Sequence, residues 1–390
     1  MSRPVVIVLI GAFYPGHESA GPNISVKAMC ETLADEFDFR IVARDRPPGA
    51  AVPIVQSGLW HEHGYARIRY LPVGKAGAIG LAALLRETPH DLLLTNGFFD
   101  KEFTIPALIA QRFGRVPRRP VLLSPRGEFS SGALGLKPAR KAVYRQLVDR
   151  LGLMRDVVFH VTSEEEESDI RAAFPHHPVR RIGNIRPLFA LPDHPSAAPA
   201  DPLRLAFLGR ISPVKGLDFA LRSLALVSTP VHYAIYGPIS DPVYWAQCEA
   251  LIAQLPPHVS AEHAGELANS AVGAAMAQHD LLLLPSKSEN FGHALFESLC
   301  AGTPIMIGQK TPWRGLEADS AGFDLPIGDP LLFAQSIDRF AALDGTQRLQ
   351  WRNGARTLAE KFVAESTAVA DMAHLMHGLS SHPGAAPHAA

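Results

Sequence analysis

The chain has 390 residues, of which 47% are hydrophobic and 19% are charged, the composition of an ordinary globular protein. Because this length exceeds what one compact core usually supports, we expect two domains. The formal net charge of −1 argues against a nucleic-acid-binding protein, whose domains are usually strongly basic.

The cysteines and the apolar segments indicate in which cellular compartment the protein is expected. Cys30, Cys248 and Cys300 lie far apart without CxxC spacing, which predicts free, buried thiols in a reducing compartment rather than disulfides or a zinc site. The opening MSRPVVIVLIG is too short for a signal sequence. No segment approaches the roughly 20 apolar residues that span a bilayer. We therefore expect a cytoplasmic protein.

Short apolar segments alternate with helical patterns through the first half of the chain. The first segment, VVIVLIG, is followed by a predicted helix in which Met29, Leu33 and Phe37 share one face. The acidic run EEEE is typical of the first turn of a helix. Continuous apolar strands separated by helices predict a parallel sheet covered on both faces. The predicted strands are residues 5–11, 39–44, 66–71, 91–97, 120–127 and 157–163.

The alternation stops in the Pro/Ala-rich segment 191–203, which we interpret as an interdomain linker. It then restarts, so the sequence predicts two doubly wound, Rossmann-like α/β domains, at residues 1–192 and 202–345. In such sheets ligands bind at the carboxyl ends of the strands, and we expect the site in the cleft between the domains. The second set of predicted strands is 203–210, 231–237, 280–286 and 303–308, followed by a helical segment at 346–378 and a disordered tail at 379–390.

Common catalytic and nucleotide signatures are missing from the sequence. There is no GxGxxG after the first strand, no GxxxxGK[ST] and no GxSxG. The His/Glu clusters at 61–63 and 176–177 lack a third ligand at a recognisable spacing, so we predict no metal site.

Two strand ends carry residues that suit a nucleotide. In FLGRISPVKG (207–216), Arg210 and Lys215 are able to clamp a diphosphate, the Arg through its planar fork and the Lys as a point charge. They fit equally well as two solvated loop cations. In YGPISDP (236–242), Gly237 suits a plain tight turn as well as contact with a base or ribose.

The segment PSKSENFGHALFE (285–297) follows a third strand. Glu289 lies in the loop before a predicted helix and Glu297 lies more than one turn inside it. The backbone N–H groups of Phe291 and Gly292, at the start of the helix, form a candidate anion site. The alternative is that Glu289 compensates the helix dipole while Glu297 is solvated. This alternative explains each acid separately but not the segment 285–297 as a whole.

These three segments together resemble the donor half of the family 4 retaining glycosyltransferases, whose hallmark is a Glu-x7-Glu motif. SPRGEFSSGALGLKPARKAVY and HVTSEEEESDI extend the resemblance over nearly the whole chain. The resemblance implies the GT-B fold, in which the helical segment 346–378 packs back on the first domain.

The resemblance also implies roles for individual residues. Arg210 and Lys215 bind the donor diphosphate, Glu289 holds hydroxyls of the transferred sugar, and Glu297 binds the nucleotide ribose. The donor-binding set that it implies is Arg210, Lys215, Gly237, Glu289, Asn290, Phe291, Gly292, His293 and Glu297.

The first half departs from the family pattern. The family's Gly-Gly loop reads YPGHESAGPNIS, which leaves Gly16 and Gly21 as the candidate acceptor or phosphate loop. Arg126, in SPRG, stands where a His is common. Because guanidinium stays protonated, Arg126 is expected to act electrostatically on the donor and not as a base. Asn184 matches a family Asn near the domain junction.

The predicted function is transfer of a sugar from a UDP- or GDP-sugar to an acceptor hydroxyl, with retention of configuration and without a metal or other cofactor. The predicted catalytic residues are Glu289, Arg210, Lys215 and Arg126. We expect a glycan or lipid-linked acceptor and no nucleic acid. The alternatives are a sugar-nucleotide epimerase or hydrolase, or a silent nucleotide-sugar-binding protein.

The basic, amphipathic segment 135–156 suits peripheral contact with an anionic membrane, here the inner face of the cell membrane. An ordinary surface helix with a solvated charged side is the favoured interpretation.

Overall fold

A computed structural model describes residues 3–13, 21–47, 50–129, 138–189 and 201–381, and within 138–143 it describes the backbone only. The chain divides into two compact units, one of Met1–Pro187 with Ser366–Ala390 and the other of Leu188–Glu365. Most of the predicted linker, residues 190–200, lies outside the described residues.

The first unit is built on an eight-stranded sheet in the order β3-β4-β2-β1-β5-β6-β7-β8. Its pairs are parallel except β3 with β4. The strands are β1 (Val5–Leu9), β2 (Asp38–Arg44), β3 (Trp60–Glu62), β4 (Arg67–Leu71), β5 (Leu92–Asn96), β6 (Val121–Ser124), β7 (Val157–Val161) and β8 (Val179–Arg181). The helices of the first 187 residues are α1 (Gly21–Thr32), α2 (Lys75–Glu87), α3 (Thr104–Arg112), α4 (Pro138–Arg150) and α5 (Glu164–Ala173).

This sheet is covered on both faces, as its continuous apolar strands predict. Successive side chains of a strand point to opposite faces. Accordingly, Val6 and Val8 pack in one core with Met29 of α1, whereas Ile7 and Leu9 pack in the other, with helices α2 to α5.

The second unit has a six-stranded sheet in the order β11-β10-β9-β12-β13-β14, with every pair parallel. The strands are β9 (Leu203–Leu208), β10 (Val231–Tyr236), β11 (Val259–Gly265), β12 (Leu281–Leu284), β13 (Ile305–Gly308) and β14 (Gly322–Leu325). The helices are α6 (Leu217–Leu224), α7 (Pro242–Ile252), α8 (Val272–Ala277), α9 (His293–Cys300), α10 (Pro330–Ala341) and α11 (Gly345–Glu365). Both sheets confirm the predicted doubly wound α/β architecture.

The C-terminal helical region differs from its prediction. We expected 346–378 to pack as one segment on the first domain, but α11 belongs to the second unit. Its buried residues, including Ala355 and Ala359, share one face that packs against α9. Only α12 (Ala368–Ser380) joins the first unit, where Met372 and Met376 enter the same core as Val6 and Val8. The disordered tail was expected at 379–390, but residues 379 and 380 belong to α12, and residues 382–390 lie outside the described residues.

In the described part of the chain, no helix is both long enough and apolar enough to cross a membrane.

Replacing Met376 with Ala should test how α12 is attached. Met376 is fully buried, and truncating a buried Met to Ala typically costs about 2–5 kcal/mol. Amides of β1 and β2 should therefore exchange hydrogen faster in the variant while those of β9 and β12 do not change. The exposed His374 gives a control, His374→Ala. Equal acceleration in both units would contradict this division of the C-terminal helices.

Candidate active site

Arg210 and Lys215 occupy the loop that leaves the carboxyl end of β9. The loop contains two glycines with positive φ, Gly209 at 153° and Gly216 at 71°. A side chain at Gly216 would place its Cβ 2.2 Å from the carbonyl oxygen of Pro285. Only glycine therefore lets the loop lie directly against the segment that follows β12.

That close approach brings together two residues that are 74 positions apart. The Nζ of Lys215 donates a hydrogen bond to Oε1 of Glu289 over 2.5 Å. The side chains are 20% and 10% exposed. Most of the pair is thus shielded from water, and a charge that is removed from water needs a partner. Arg210, in the same loop, is exposed and forms no ion pair with any side chain in the described part of the chain. The carboxyl edge of the second sheet thus carries the Lys215–Glu289 ion pair and a second cation, Arg210, in the loop of Lys215.

The helix α9 begins directly after the β12 loop, which carries Glu289. Gly292 is its N-cap, with φ of 78°, and the backbone N–H groups of Leu295 and Phe296 both bond back to the Gly292 carbonyl. The first-turn N–H groups of a helix attract anions. Asn290 is exposed and His293 partly exposed, so both are accessible beside Glu289.

Phe291 is anchored in the core of the second unit. Its ring contacts those of Trp313, Phe296 and Phe362, and its carbonyl accepts a hydrogen bond from Nε1 of Trp313 over 2.7 Å. Its ring therefore packs in the core and its carbonyl is bonded to Trp313, while contact of its backbone N–H with a ligand stays a prediction.

Glu297 lies in the second turn of α9 and is only 7% exposed. The alternative of a solvated surface acid is therefore wrong for this residue. Gly237, at the end of β10, has φ of 136°. A Cβ on it would lie 2.1 Å from the carbonyl oxygen of Gly209. Glycine at this position lets the β9 and β10 loops touch. This packing alone is a reason for glycine here, and contact of Gly237 with the donor stays a prediction.

In the first unit, Arg126 follows β6 with φ of 56°, an uncommon conformation for a residue with a side chain. Its Nε and Nη2 both donate to Oδ1 of Asn96, at 3.0 and 2.9 Å. Burial lowers the pKa of the Arg126 guanidinium, and Glu166 opposes that shift. Arg126 is therefore a fixed cation at the carboxyl edge of the first sheet, in a different unit from Arg210, Lys215 and Glu289.

Glu166 and His160 support this corner. The Glu166 carboxylate accepts from the backbone N–H groups of Gly127 and Thr162, at 2.6 and 2.9 Å. His160 Nε2 lies 3.0 Å from the carbonyl of Ile182, which accepts only, so Nε2 carries the proton. His160 Nδ1 then accepts from the Ser124 hydroxyl at 2.9 Å. Burial and the neighbouring Arg126 lower the pKa of His160 to about 4. A neutral His160 therefore positions β6 through Ser124.

The remaining predicted residues of the first unit have different outcomes. Gly21 is the first residue of α1, and Gly16 lies outside the described residues. Asn184 is buried, and its Oδ1 accepts from the Ser25 hydroxyl of α1 over 2.9 Å. Asn184 therefore ties the end of the first unit to α1.

Among the described residues, no group of three or more His, Cys, Asp or Glu side chains is arranged to hold a metal ion. All three cysteines are free and buried, as predicted.

Sequence reasoning missed the direct contact of Lys215 with Glu289 and the roles of His160 and Glu166. Glu166 stood within the acidic run and resembled its solvated neighbours. Its signal was its spacing from Ser163, which caps α5 by accepting from the Glu166 N–H. This is the spacing of a capping box, in which the glutamate turns back toward the chain before the helix.

Both halves of the chain match glycosyltransferase families. Residues 20–184 match the glycosyl transferase 4-like domain, and residues 193–358 match the glycosyl transferases group 1. The 2-deoxystreptamine glucosyltransferase of Streptomyces kanamyceticus is 29% identical over 214 residues, 50% of this chain and 54% of that protein. The chain thus spans about half the length of this relative.

Two solved structures cover nearly the whole chain. Sucrose-phosphate synthase from Thermosynechococcus elongatus aligns with a TM-score of 0.72 at 18% identity, over 97% of this chain and 100% of that chain. HepE of Anabaena, in complex with UDP and glucose, aligns with a TM-score of 0.69 at 15% identity, over the same shares. These likenesses show that the fold is GT-B.

The depressed pKa of His160 predicts a pH dependence of stability. An unfolded His titrates near 6.5 and the folded one near 4, so the unfolded state binds more protons between these values. The contribution of neutral His160 to the free energy of unfolding is therefore complete above about pH 6.5. It is lost as the pH falls toward 4, and the total loss is on the order of 3 kcal/mol. Urea unfolding followed by circular dichroism should show a shallower pH dependence for His160→Gln.

The exposed His176 provides the control, since His176→Gln should follow the parent protein. If His160→Gln lost stability as steeply as the parent between pH 6.5 and 4, the buried neutral state of His160 would be wrong.

Proposed function

Because residues 20–184 and 193–358 each match a glycosyltransferase model, we propose that the chain is a glycosyltransferase that transfers a sugar from a nucleoside diphosphate sugar to an acceptor hydroxyl. The observation that carries the proposal is the ion pair of Lys215 with Glu289, in the loop from which α9 begins; the exposed Arg210 lies in the same loop as Lys215. Cations and helical N–H groups suit a diphosphate, and a carboxylate suits sugar hydroxyls. UDP- and GDP-sugars are the donors that we propose.

Each donor residue has a proposed part in binding. Arg210, exposed and without an ion-pair partner among the described side chains, binds the diphosphate through its guanidinium fork. Lys215 binds a phosphate oxygen in this proposal, while its ion pair with Glu289 keeps it in position. Glu289 accepts hydrogen bonds from the sugar. Glu297, buried in α9, binds the ribose hydroxyls.

Charge develops on the diphosphate as the bond from the anomeric carbon to its oxygen breaks. Arg210, Lys215 and the N-terminus of α9 stabilise that charge, and fixed electrostatic groups of this kind usually dominate catalysis. We propose that Arg126 adds a further fixed cation. The basic side chains and the N-terminus of α9 are proposed to supply this stabilisation without a metal ion.

Transfer with retention follows a front-face path in this proposal. The acceptor oxygen bonds to the anomeric carbon on the face that the diphosphate leaves, and the acceptor proton passes to a leaving phosphate oxygen. The acceptor is a hydroxyl of a glycan or a lipid-linked glycan, as the family resemblance implies. Peripheral contact of the basic segment 135–156 with an anionic membrane is part of the same expectation.

The two glutamates should have separable effects. Glu297→Gln should weaken nucleotide binding roughly tenfold, because hydrogen bonds to charged groups contribute about 1.5–3 kcal/mol. Glu289→Gln should mainly lower kcat, by roughly 10–100-fold, which corresponds to about 1.4–2.8 kcal/mol of transition-state stabilisation. Calorimetric titration and steady-state kinetics measure the two effects. The exposed Glu249 supplies the control Glu249→Gln. Full activity in both active-site variants would refute these assignments.

The anomeric configuration of the product tests the reaction itself. Proton NMR of the product should show the same configuration as the donor, and activity should persist with EDTA in the assay. Inversion would exclude the front-face path, and loss of activity with EDTA would exclude metal independence.

Incubation of donor without acceptor separates the alternatives. An epimerase would change the sugar while it stays attached to the nucleotide, and a hydrolase would release free sugar. A silent binding protein would bind the donor and turn over no acceptor.

A further inference from the structure

A small pocket, open to solvent, lies in the first unit at the amino-terminal ends of β6 and β7. The residues Val121 and Val157, with which these strands begin, line it. Arg126 follows the opposite end of β6, at the carboxyl edge. The pocket is therefore a separate feature from the candidate active site. Its polar lining consists of Gln111, Arg112, Arg118, Arg155 and Asp156.

The charge of this lining is unbalanced. Arg112, Arg118 and Arg155 supply three positive charges, and Asp156 supplies one negative charge. Arg118 binds Asp156 through two nitrogens, with Nη2 2.7 Å from Oδ1, so these two side chains neutralise each other. Arg112 and Arg155 then leave a surplus of two positive charges in the pocket.

The position of Arg112 is fixed by the backbone. Its Nε donates to the carbonyl of Leu151 over 2.8 Å. This bond holds the guanidinium at the pocket wall. A guanidinium held in this way matches a phosphate group through its planar fork of donors.

Gln111 supplies the observation that points to a ligand. It is 7% exposed, and its Oε1 accepts from the backbone N–H of Arg119 over 2.9 Å. Because that bond needs an acceptor, the amide orientation is determined by its partner. The Nε2 of Gln111 is then a buried donor without a hydrogen-bond partner among the described residues. An unmet buried donor of this kind costs about 1–3 kcal/mol.

We propose that this pocket binds a phosphate group, with Arg112 and Arg155 supplying the charge and Gln111 Nε2 supplying a neutral donor once a small movement of the lining uncovers it. Phosphate oxygens accept from all three side chains, and Asp156 stays engaged with Arg118. The phosphate belongs either to a free phosphorylated molecule or to the head group of a lipid. The site lies outside the donor and acceptor machinery proposed above and does not depend on it.

Calorimetric titration with inorganic phosphate provides the first arm of the test. Gln111→Glu keeps an acceptor for the Arg119 N–H but replaces the free donor with a negative charge. It should weaken phosphate binding by about tenfold or more, and Arg112→Gln combined with Arg155→Gln should do the same. The exposed Arg86 of α2 gives the control Arg86→Gln, which should bind as the parent does. Circular dichroism verifies that each variant is folded.

The second arm is co-sedimentation with phosphatidylcholine vesicles that contain or lack phosphatidic acid. Binding of inorganic phosphate that Gln111→Glu weakens identifies a site for free phosphate. Binding only to vesicles with phosphatidic acid, again weakened by Gln111→Glu, identifies a lipid head group. The proposal is overturned if the parent binds neither probe, or if Gln111→Glu binds both as the parent does. Because Gln111 lies in the first unit, its effect is distinguishable from phosphate binding at the donor residues of the second.

Discussion

The ion pair between Lys215 and Glu289 is the interaction on which the candidate site depends. Two largely buried charges are tolerated only as partners, and these come from loops after different strands. Their contact requires the β9 loop to lie against the β12 loop, which Gly216 permits by leaving room for the Pro285 carbonyl. The pair follows from this one close approach, and α9 begins in the same segment as Glu289. The chemistry proposed for the donor therefore rests on backbone geometry at a glycine.

The first unit obtains a fixed cation by a different route. Arg126 has an uncommon backbone conformation, and the neighbouring Gly127 N–H is bonded to the Glu166 carboxylate. His160, kept neutral by burial and by Arg126 itself, holds Ser124 at the end of the same strand. An acid, a neutral imidazole and the Asn96 amide thus hold one guanidinium in place. This arrangement fits an electrostatic part for Arg126 and not proton transfer.

The sequence predicted the interior strands well and the edge strands poorly, for a physical reason. Interior strands such as β1 and β12 are buried on both faces and read as continuous apolar runs. The four strands that sequence reasoning missed, β3, β8, β11 and β14, are the edges of the two sheets. β11, for example, is largely exposed, so it carries no such run. Likewise, the long pattern after residue 346 showed a helix but not its partner, because apolar spacing does not say which core a face enters.

The candidate site was predictable as a set of residues but not as a set of contacts. Motif spacing placed Arg210, Lys215 and Glu289 at strand ends and Glu297 in the following helix, yet nothing local shows that Lys215 reaches Glu289. Long-range packing decides that contact, as it decides that the ring of Phe291 packs on Trp313. The central claim, that the carboxyl edge of the second sheet binds a diphosphate, is tested most directly by calorimetric titration of UDP and GDP against Lys215→Met. Whichever nucleotide binds the parent should bind Lys215→Met about tenfold or more weakly, while the exposed control Lys361→Met should bind it as the parent does. Equal affinity in Lys215→Met and the parent would contradict a diphosphate site at this edge.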